Sequence, residues 1–293
     1  MALSGTATNR TSVDLPVELS REIMQKAKET SSVMQLAREI ALPGRGAAIN
    51  VITSDPEAAW VGETSSKTVA NPGLDTKVMR AYKLAVIVPF SNEFRRDLAS
   101  LYDALVSRLP GALAKKFDAT VFGNGDKPGS DFDNFAAITA QSLASDAYAG
   151  LVAADTDIAL HGGVLNGFAI SPQMKGILLG ATDQNKRPLF INNVAEGAVP
   201  MILGARTVVT KGAFVQGSPN VVGVAGDWTQ AMWGSVEGVK IDFSSDATLD
   251  IDAEHKINLF QQNMFAVRAE IEVGFRADTS VFNALTATSV PSI

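Results

Sequence analysis

The 293-residue chain has no cysteine and only two histidines, His161 and His255. The first absence removes disulfides and thiolate metal sites, and the second removes any centre built from three imidazoles. Charge is sparse as well: 19% of the residues are Asp, Glu, Lys or Arg, against roughly 25% in an average soluble protein. The 25 basic and 31 acidic residues leave a formal charge of −6, the wrong sign for a general nucleic-acid binder. Long apolar runs are also missing. The stretch from Leu84 to Pro89 falls far short of the roughly 20 residues that span a bilayer. The N-terminus, MALSGTATNRTSVDLP, lacks the apolar segment and cleavage pattern of a signal peptide. These absences describe a soluble protein made inside the cell, with no membrane partner.

What is present is ordinary greasiness without much surface that wants water. Hydrophobic residues make up 46% of the chain, and burial between copies is one way to satisfy such a composition. A chain of 30.9 kDa suits one large domain or two modest ones. Compact, it would expose roughly 12,000 Å².

Residues 1–14 are small, polar and aperiodic and read as an arm. Asp14 and Pro16 introduce a helix to about Lys28, and Ser31 to Ile40 has helical spacing, stopped by Leu42-Pro43-Gly44. Ala47 to Thr53 reads as a strand. A long period-2 run follows from Val78 to Phe90, after a polar middle containing Asn71-Pro72-Gly73. Together they describe a long β-hairpin, too long to bury both faces on itself. Ser91 then caps a helix whose stripe runs Phe94, Leu98, Leu101, Leu105, Leu109, Leu113, Phe117, with Pro110-Gly111 expected to kink or split it. Gly123-Asn124-Gly125 ends it.

Residues 136–240 read as a mixed α/β unit. It has helices near Ser145–Ala154 and Pro172–Leu179, and a strand starting at Ile158–Leu160. Further short strands are expected at 168–171, 189–191, 201–203, 207–209 and 221–224, and from Ala231 to Phe243. Near the C-terminus, Val267, Ala269, Ile271 and Val273 alternate with Arg268, Glu270 and Glu272, as in a strand with one buried face. Ser280 to Leu285 closes the chain.

Catalytic signatures are missing: no phosphate-binding glycine loop, no dinucleotide fingerprint, no nucleophile elbow. His161 precedes Gly162-Gly163 and reads as a surface or hydrogen-bonded residue, and His255, between Glu254 and Lys256, as solvated. The pairs Asp131/Asp133, Asp155/Asp157 and Asp250/Asp252 lack calcium-loop spacing and are read as turn caps. No metal, cofactor or catalytic residue is therefore assigned.

Phrases in a fixed order carry a resemblance. Leu15-Pro16 and Val33 to Arg38 come first, then Trp60-Val61-Gly62-Glu63, then Lys83 to Glu93 with Asp97. Lys116-Phe117-Asp118 runs to Gly125 with Pro128-Gly129, followed by Ile170-Ser171-Pro172-Gln173-Met174 and Arg187-Pro188-Leu189-Phe190, where Asn185-Lys186 replaces a Gly. Gly226-Asp227-Trp228 with Gly238, and Val267-Arg268-Ala269-Glu270, complete the series. In this order the chain resembles the major capsid proteins of tailed bacteriophages, with the Hong Kong phage-type fold.

That resemblance implies an α+β fold in four parts: an N-terminal arm (1–44), an extended β-hairpin loop (45–90), a peripheral domain with a spine helix (91–135 and 241–293) and an axial α/β domain (136–240). It implies assembly of the chain with itself, as hexamers and pentamers, into an icosahedral shell enclosing double-stranded DNA without sequence-specific binding. Trp60, Glu63, Lys67 and Trp228 are the expected subunit contacts. With only 14 residues before Leu15-Pro16, scaffolding would come from a separate protein. A portal, and in some members a decoration protein, complete the partners. Some members cross-link a loop Lys to a neighbour's Asn; Lys67 lies near the hairpin tip, but no Asn or Glu here matches, and no cross-link is expected. An encapsulin-type shell around a protein cargo is the alternative within the fold. An α/β hydrolytic enzyme in 136–240 is a distant one, since His161 is the only imidazole there.

Overall fold

The computed structural model describes residues 17–44, 46–54, 60–61, 69, 73–97, 107–182, 187, 189, 201–251 and 256–288. Helices α1 (Val17–Thr30) and α2 (Ser32–Leu36) meet at Ser31, whose hydroxyl accepts from the Met34 N–H at 3.1 Å. The helix expected to reach Ile40 stops short. Ala37 turns extended, and β1 (Arg38–Ala41) pairs in parallel with Met232–Ser235. The ladder hydrogen bonds offered by a sheet edge outweigh the weak helical propensity of so short a segment.

Strands β2 (Ala47–Ser54) and β3 (Gly73–Met79) form the hairpin, with Ala47 opposite Met79 and Ile52 opposite Leu74. The turn between them falls mostly outside the described residues. The alternating run read as one hairpin arm divides at Arg80 and Ala81. Its second part, β4 (Tyr82–Ser91), leaves the hairpin and pairs with Met264–Val273. Alternation reports which face a side chain takes; it carries nothing about the pairing partner.

Ser91 caps α3 (Asn92–Asp97) by accepting from the Phe94 N–H at 3.0 Å. The middle of the expected spine stripe, Leu98 to Leu105, lies outside the described residues. Helix α4 (Leu109–Val121) starts afresh after a turn at Ser107-Arg108, with Pro110 in its first turn, where a missing N–H costs nothing. Leu109, Leu113, Phe117 and Val121 are buried. At its end Gly123 takes φ +87°, and the Gly123 and Asn124 N–H groups donate to Thr120 and Ala119 carbonyls, a Schellman closure that favours glycine.

The remaining elements are β5 (Thr139–Ser142), α5 (Ala147–Leu160), β6 (Gly167–Ile170), α6 (Pro172–Gly180), β7 (Met201–Ile202), β8 (Ala205–Val209), β9 (Asn220–Gly226), β10 (Ala231–Ser235), β11 (Lys240–Ser244), β12 (Thr248–Asp250), β13 (Lys256–Asn258), β14 (Met264–Ala277) and β15 (Phe282–Ala287). Ile158–Leu160, expected to begin a strand, continues α5, since Ile158 completes its buried side. Of the strand expected at 189–191, Leu189 lies in a bend and the rest is outside the described residues.

Two sheets carry the fold. In one, β14 pairs with β4, β10 and β11, and β10 with β1; Ala266–Glu270 face both β4 and β11, so β14 is central there. The other runs β5-β15-β9-β6-β8-β7. Sheet membership departs from the boundaries read in sequence. β15, assigned to the 241–293 segment, completes the six-stranded sheet, while β10, inside 136–240, joins the five-stranded one. An aromatic cluster joins the sheets: Phe135 stacks on Phe282 at 4.6 Å, Trp228 stands edge-on to Phe282 at 5.3 Å, and Phe275 of β14 meets Phe117, Phe132 and Phe135 within 6.4 Å.

Candidate assembly surfaces

The base of the hairpin is held by one guanidinium. Arg276 of β14 donates from Nε to the Val78 carbonyl at 2.9 Å, from Nη1 to Asp133 at 2.9 Å and from Nη2 to Asp131 at 3.1 Å. Arg80 reaches the other Asp131 oxygen at 3.3 Å, and the Ala277 N–H donates to Asp133. The planar fork suits two carboxylates and a carbonyl at once, which a lysine could not match. Close approach is built in beside it: a Cβ at Gly274 would sit 2.6 Å from the Arg80 carbonyl oxygen, so only glycine fits. The hairpin thus leaves the sheet from a fixed root. Among the described residues β2 and β3 pair only with each other, and Trp60 beyond them is fully exposed.

The outer face of β14 is ionic. Val267, Ala269, Ile271 and Val273 point into the core, as their alternation predicts, and Arg268, Glu270 and Glu272 point out. Lys83 on β4 pairs with Glu272 at 3.0 Å, and Arg268 pairs with Asp242 on β11 at 2.6 Å and with Glu270 at 3.5 Å. Opposite charges facing one another across the strands fix their register and block indiscriminate sticking of the sheet.

The arm is anchored where α1 meets α2. Asp118 of α4 is buried and accepts from the Ser31 hydroxyl at 2.5 Å, from the Ser32 N–H and hydroxyl at 2.8 Å each, and from the Val33 N–H at 3.4 Å. Burial pushes its carboxyl above the usual range, while those four donors pull against that rise. Lys28 adds a pair to Glu39 at 2.8 Å and sits 5.4 Å from the Trp233 ring centre.

The four expected contacts separate. Trp60 is exposed at the hairpin; Glu63 and Lys67 lie outside the described residues. Trp228 is corrected to a core residue: it is 2% exposed and its indole N–H donates to the Gly167 carbonyl at 3.0 Å. The reason is its neighbour Asp227, which accepts from Val164, Asn166 and both the N–H and hydroxyl of Thr229 and so folds the turn inward. Burial works against the Asp227 carboxylate, but the donors prevail and hold its pKa below the ordinary value. Arg276 and Asp118 were missed as anchors. Asp131 and Asp133, read as turn caps, meet Arg276 from more than 140 residues away, and nothing in their spacing announces it. His161 ends α5 with Nδ1 2.8 Å from the Asp157 carbonyl oxygen. Among the described residues no cluster of three or more His, Cys, Asp or Glu is placed to hold a metal ion, and no helix is long and apolar enough to cross a membrane.

A sequence model of the phage capsid family matches residues 12–282. The chain belongs to the phage capsid family. It is 28% identical over 289 residues to the "Probable major capsid protein gp17" of Mycobacterium phage D29, covering 93% of this chain and 89% of that one. A solved chain from Mycobacterium phage Adephagia superposes with a TM-score of 0.74 at 19% identity, covering 89% and 91%. The capsid of an empty GTA particle computed with C5 symmetry superposes at 0.64 with 17% identity, covering 99% and 96%. As a phage capsid protein the chain is a structural component of the virion that associates with copies of itself.

Proposed function

We propose that this major capsid protein assembles as hexamers and pentamers into the icosahedral head of a tailed phage, around double-stranded DNA that it encloses without sequence-specific contacts. The observation that carries the reading is the rooted hairpin. A β-ribbon that pairs only with itself among the described residues, fixed at its base by Arg276 and leading to an exposed tryptophan, needs a neighbour's surface to cover it. Trp60, Glu63 and Lys67 are its proposed contacts. In this reading 1–44 is the arm and the β2–β3 ribbon the extended loop. The β4–β14 sheet with α3 and α4 is the peripheral domain, and the six-stranded sheet, β15 included, is the axial domain. The C5 symmetry of the similar GTA capsid supports pentamers at vertices. The acidic balance of the chain suits a wall that does not hold DNA against release. Assembly takes place in the host cytoplasm with a separate scaffolding protein and a portal, and a decoration protein is a further partner.

Negative-stain electron microscopy of the full chain expressed in a bacterial host, with size-exclusion chromatography, tests this. Closed shells or discrete hexamers and pentamers are expected. A clean 30.9 kDa monomer would refute self-sufficient assembly.

A further inference from the structure

Helix α5 is apolar over most of its surface, its only charged residues being Asp155 and Asp157 near its C-terminal end. Gly150, Leu151, Ala154 and Ile158 pack inward, yet Tyr148, Val152 and Leu160 face solvent, Leu160 at 79% exposure. The sequence of α5 contains no Lys or Arg. A helix so apolar is usually a buried one, and among the described residues nothing covers its outer side, where Gln141, Tyr148, Val152, Thr156, Asp157 and Leu160 line a shallow groove.

A second anomaly lies across the same sheet. β7 and β8 are joined by the two-residue turn Leu203-Gly204, with Met201 opposite Arg206 and Ile202 opposite Ala205. Both turn residues have positive φ, 49° and 79°. The first position of such a turn favours Asn, Asp or Gly, and a leucine there is strained. Leu203 is also 42% exposed and Met201 59%. The chain therefore accepts backbone strain and apolar exposure together at one hairpin tip, a combination that marks a functional contact.

The two features are placed to meet between copies. α5 packs over β5, β15 and β9 on one side of the sheet, while β7 is the last strand on the other. They also share an end of it. α5 finishes at Leu160 just before β6 begins at Gly167, and Gly167 is paired with Arg206, two residues after the Leu203-Gly204 turn. A ring of identical subunits needs two different, complementary patches on opposite sides of each subunit. We propose that the Leu203 hairpin tip, with Met201, is a knob that seats in the α5 groove of the adjacent copy in the capsomer, against Leu160. The partner is a second copy of this chain, and the inference rests on the capsid reading above.

The absence of native cysteine gives a direct test. The double variant Leu203→Cys/Leu160→Cys, oxidised after expression of the full chain, is expected to yield a ladder of disulfide-linked oligomers on non-reducing gels, with neither single variant doing so. Leu203→Asn provides the functional arm. Asparagine tolerates the left-handed turn, so thermal stability of the unassembled chain should hold or rise, while particle yield falls about tenfold. Wild-type shells with no ladder and with normal yield from Leu203→Asn would overturn this contact and leave the capsid reading standing. Wild type that forms neither shells nor capsomers would overturn both.

Discussion

At the scale of single residues, exposure and anchoring divide the work. Among the described residues nothing covers Trp60, so Trp60→Ala should leave the melting temperature of the unassembled chain unchanged. Assembly should weaken by more than about 2 kcal/mol, as for an aromatic anchor at an interface centre. Sedimentation of particles against unassembled chain measures it, and equal particle yield and stability would exclude the role. Arg276 behaves in the opposite way. It is only 12% exposed in its side chain, and its loss leaves Asp131 with Arg80 alone and Asp133 with the Ala277 N–H. Arg276→Ala should cost about 1–2 kcal/mol of fold stability. Arg276→Lys should recover only part, since an ammonium cannot reproduce the fork. Thermal melts of the two variants separate these outcomes.

At the scale of elements, the arm is joined to the spine helix by one carboxylate. Asp118 takes four hydrogen bonds from the α1–α2 elbow, and its carboxyl is raised by burial. An acid whose folded pKa lies above its unfolded value binds protons more readily when folded. Its contribution is greatest at low pH and declines as pH rises from the ordinary value of 3.8 through the raised folded value. The stability difference between wild type and Asp118→Asn should therefore narrow as pH rises from about 4 toward neutrality. A difference independent of pH, followed by thermal melts, would show that the carboxyl titrates normally. Asp227 has the reverse sign. Its lowered pKa gives stability that is present above 3.8 and lost as pH falls through the depressed value. Asp227→Asn should remove that dependence on acid.

At the scale of the whole molecule, the described residues leave large apolar side chains uncovered, Trp60, Leu160 and Phe260 among them. Exposed apolar surface of this kind suits a subunit that is covered by its neighbours in the assembly. The unmatched Asn and Glu around Lys67 carry a further expectation for the shell: its subunits should run as a single 30.9 kDa band on reducing denaturing gels. A covalent ladder there would mean that Lys67 has found partners in the assembled state.

What the sequence by itself determined is local. The Ser91 cap, the break before Pro110, the glycine closure at Gly123 and the buried face of β14 follow from capping chemistry, ring geometry and period-2 alternation, all written within a few residues. The order of its phrases was enough to point to the family. Only the tertiary structure decided which strand pairs with which. The run from Val78 to Phe90 alternates evenly, yet its first part closes the hairpin and its later part, as β4, pairs with β14. Tertiary packing likewise turned Trp228 inward, through an Asp227 held by Asn166 and Val164 some 60 residues earlier. It also gave Asp131 and Asp133 their partner in Arg276. A side chain's face is set by its nearest neighbours in the chain, whereas its partner is set by whichever distant group the fold brings within hydrogen-bonding reach.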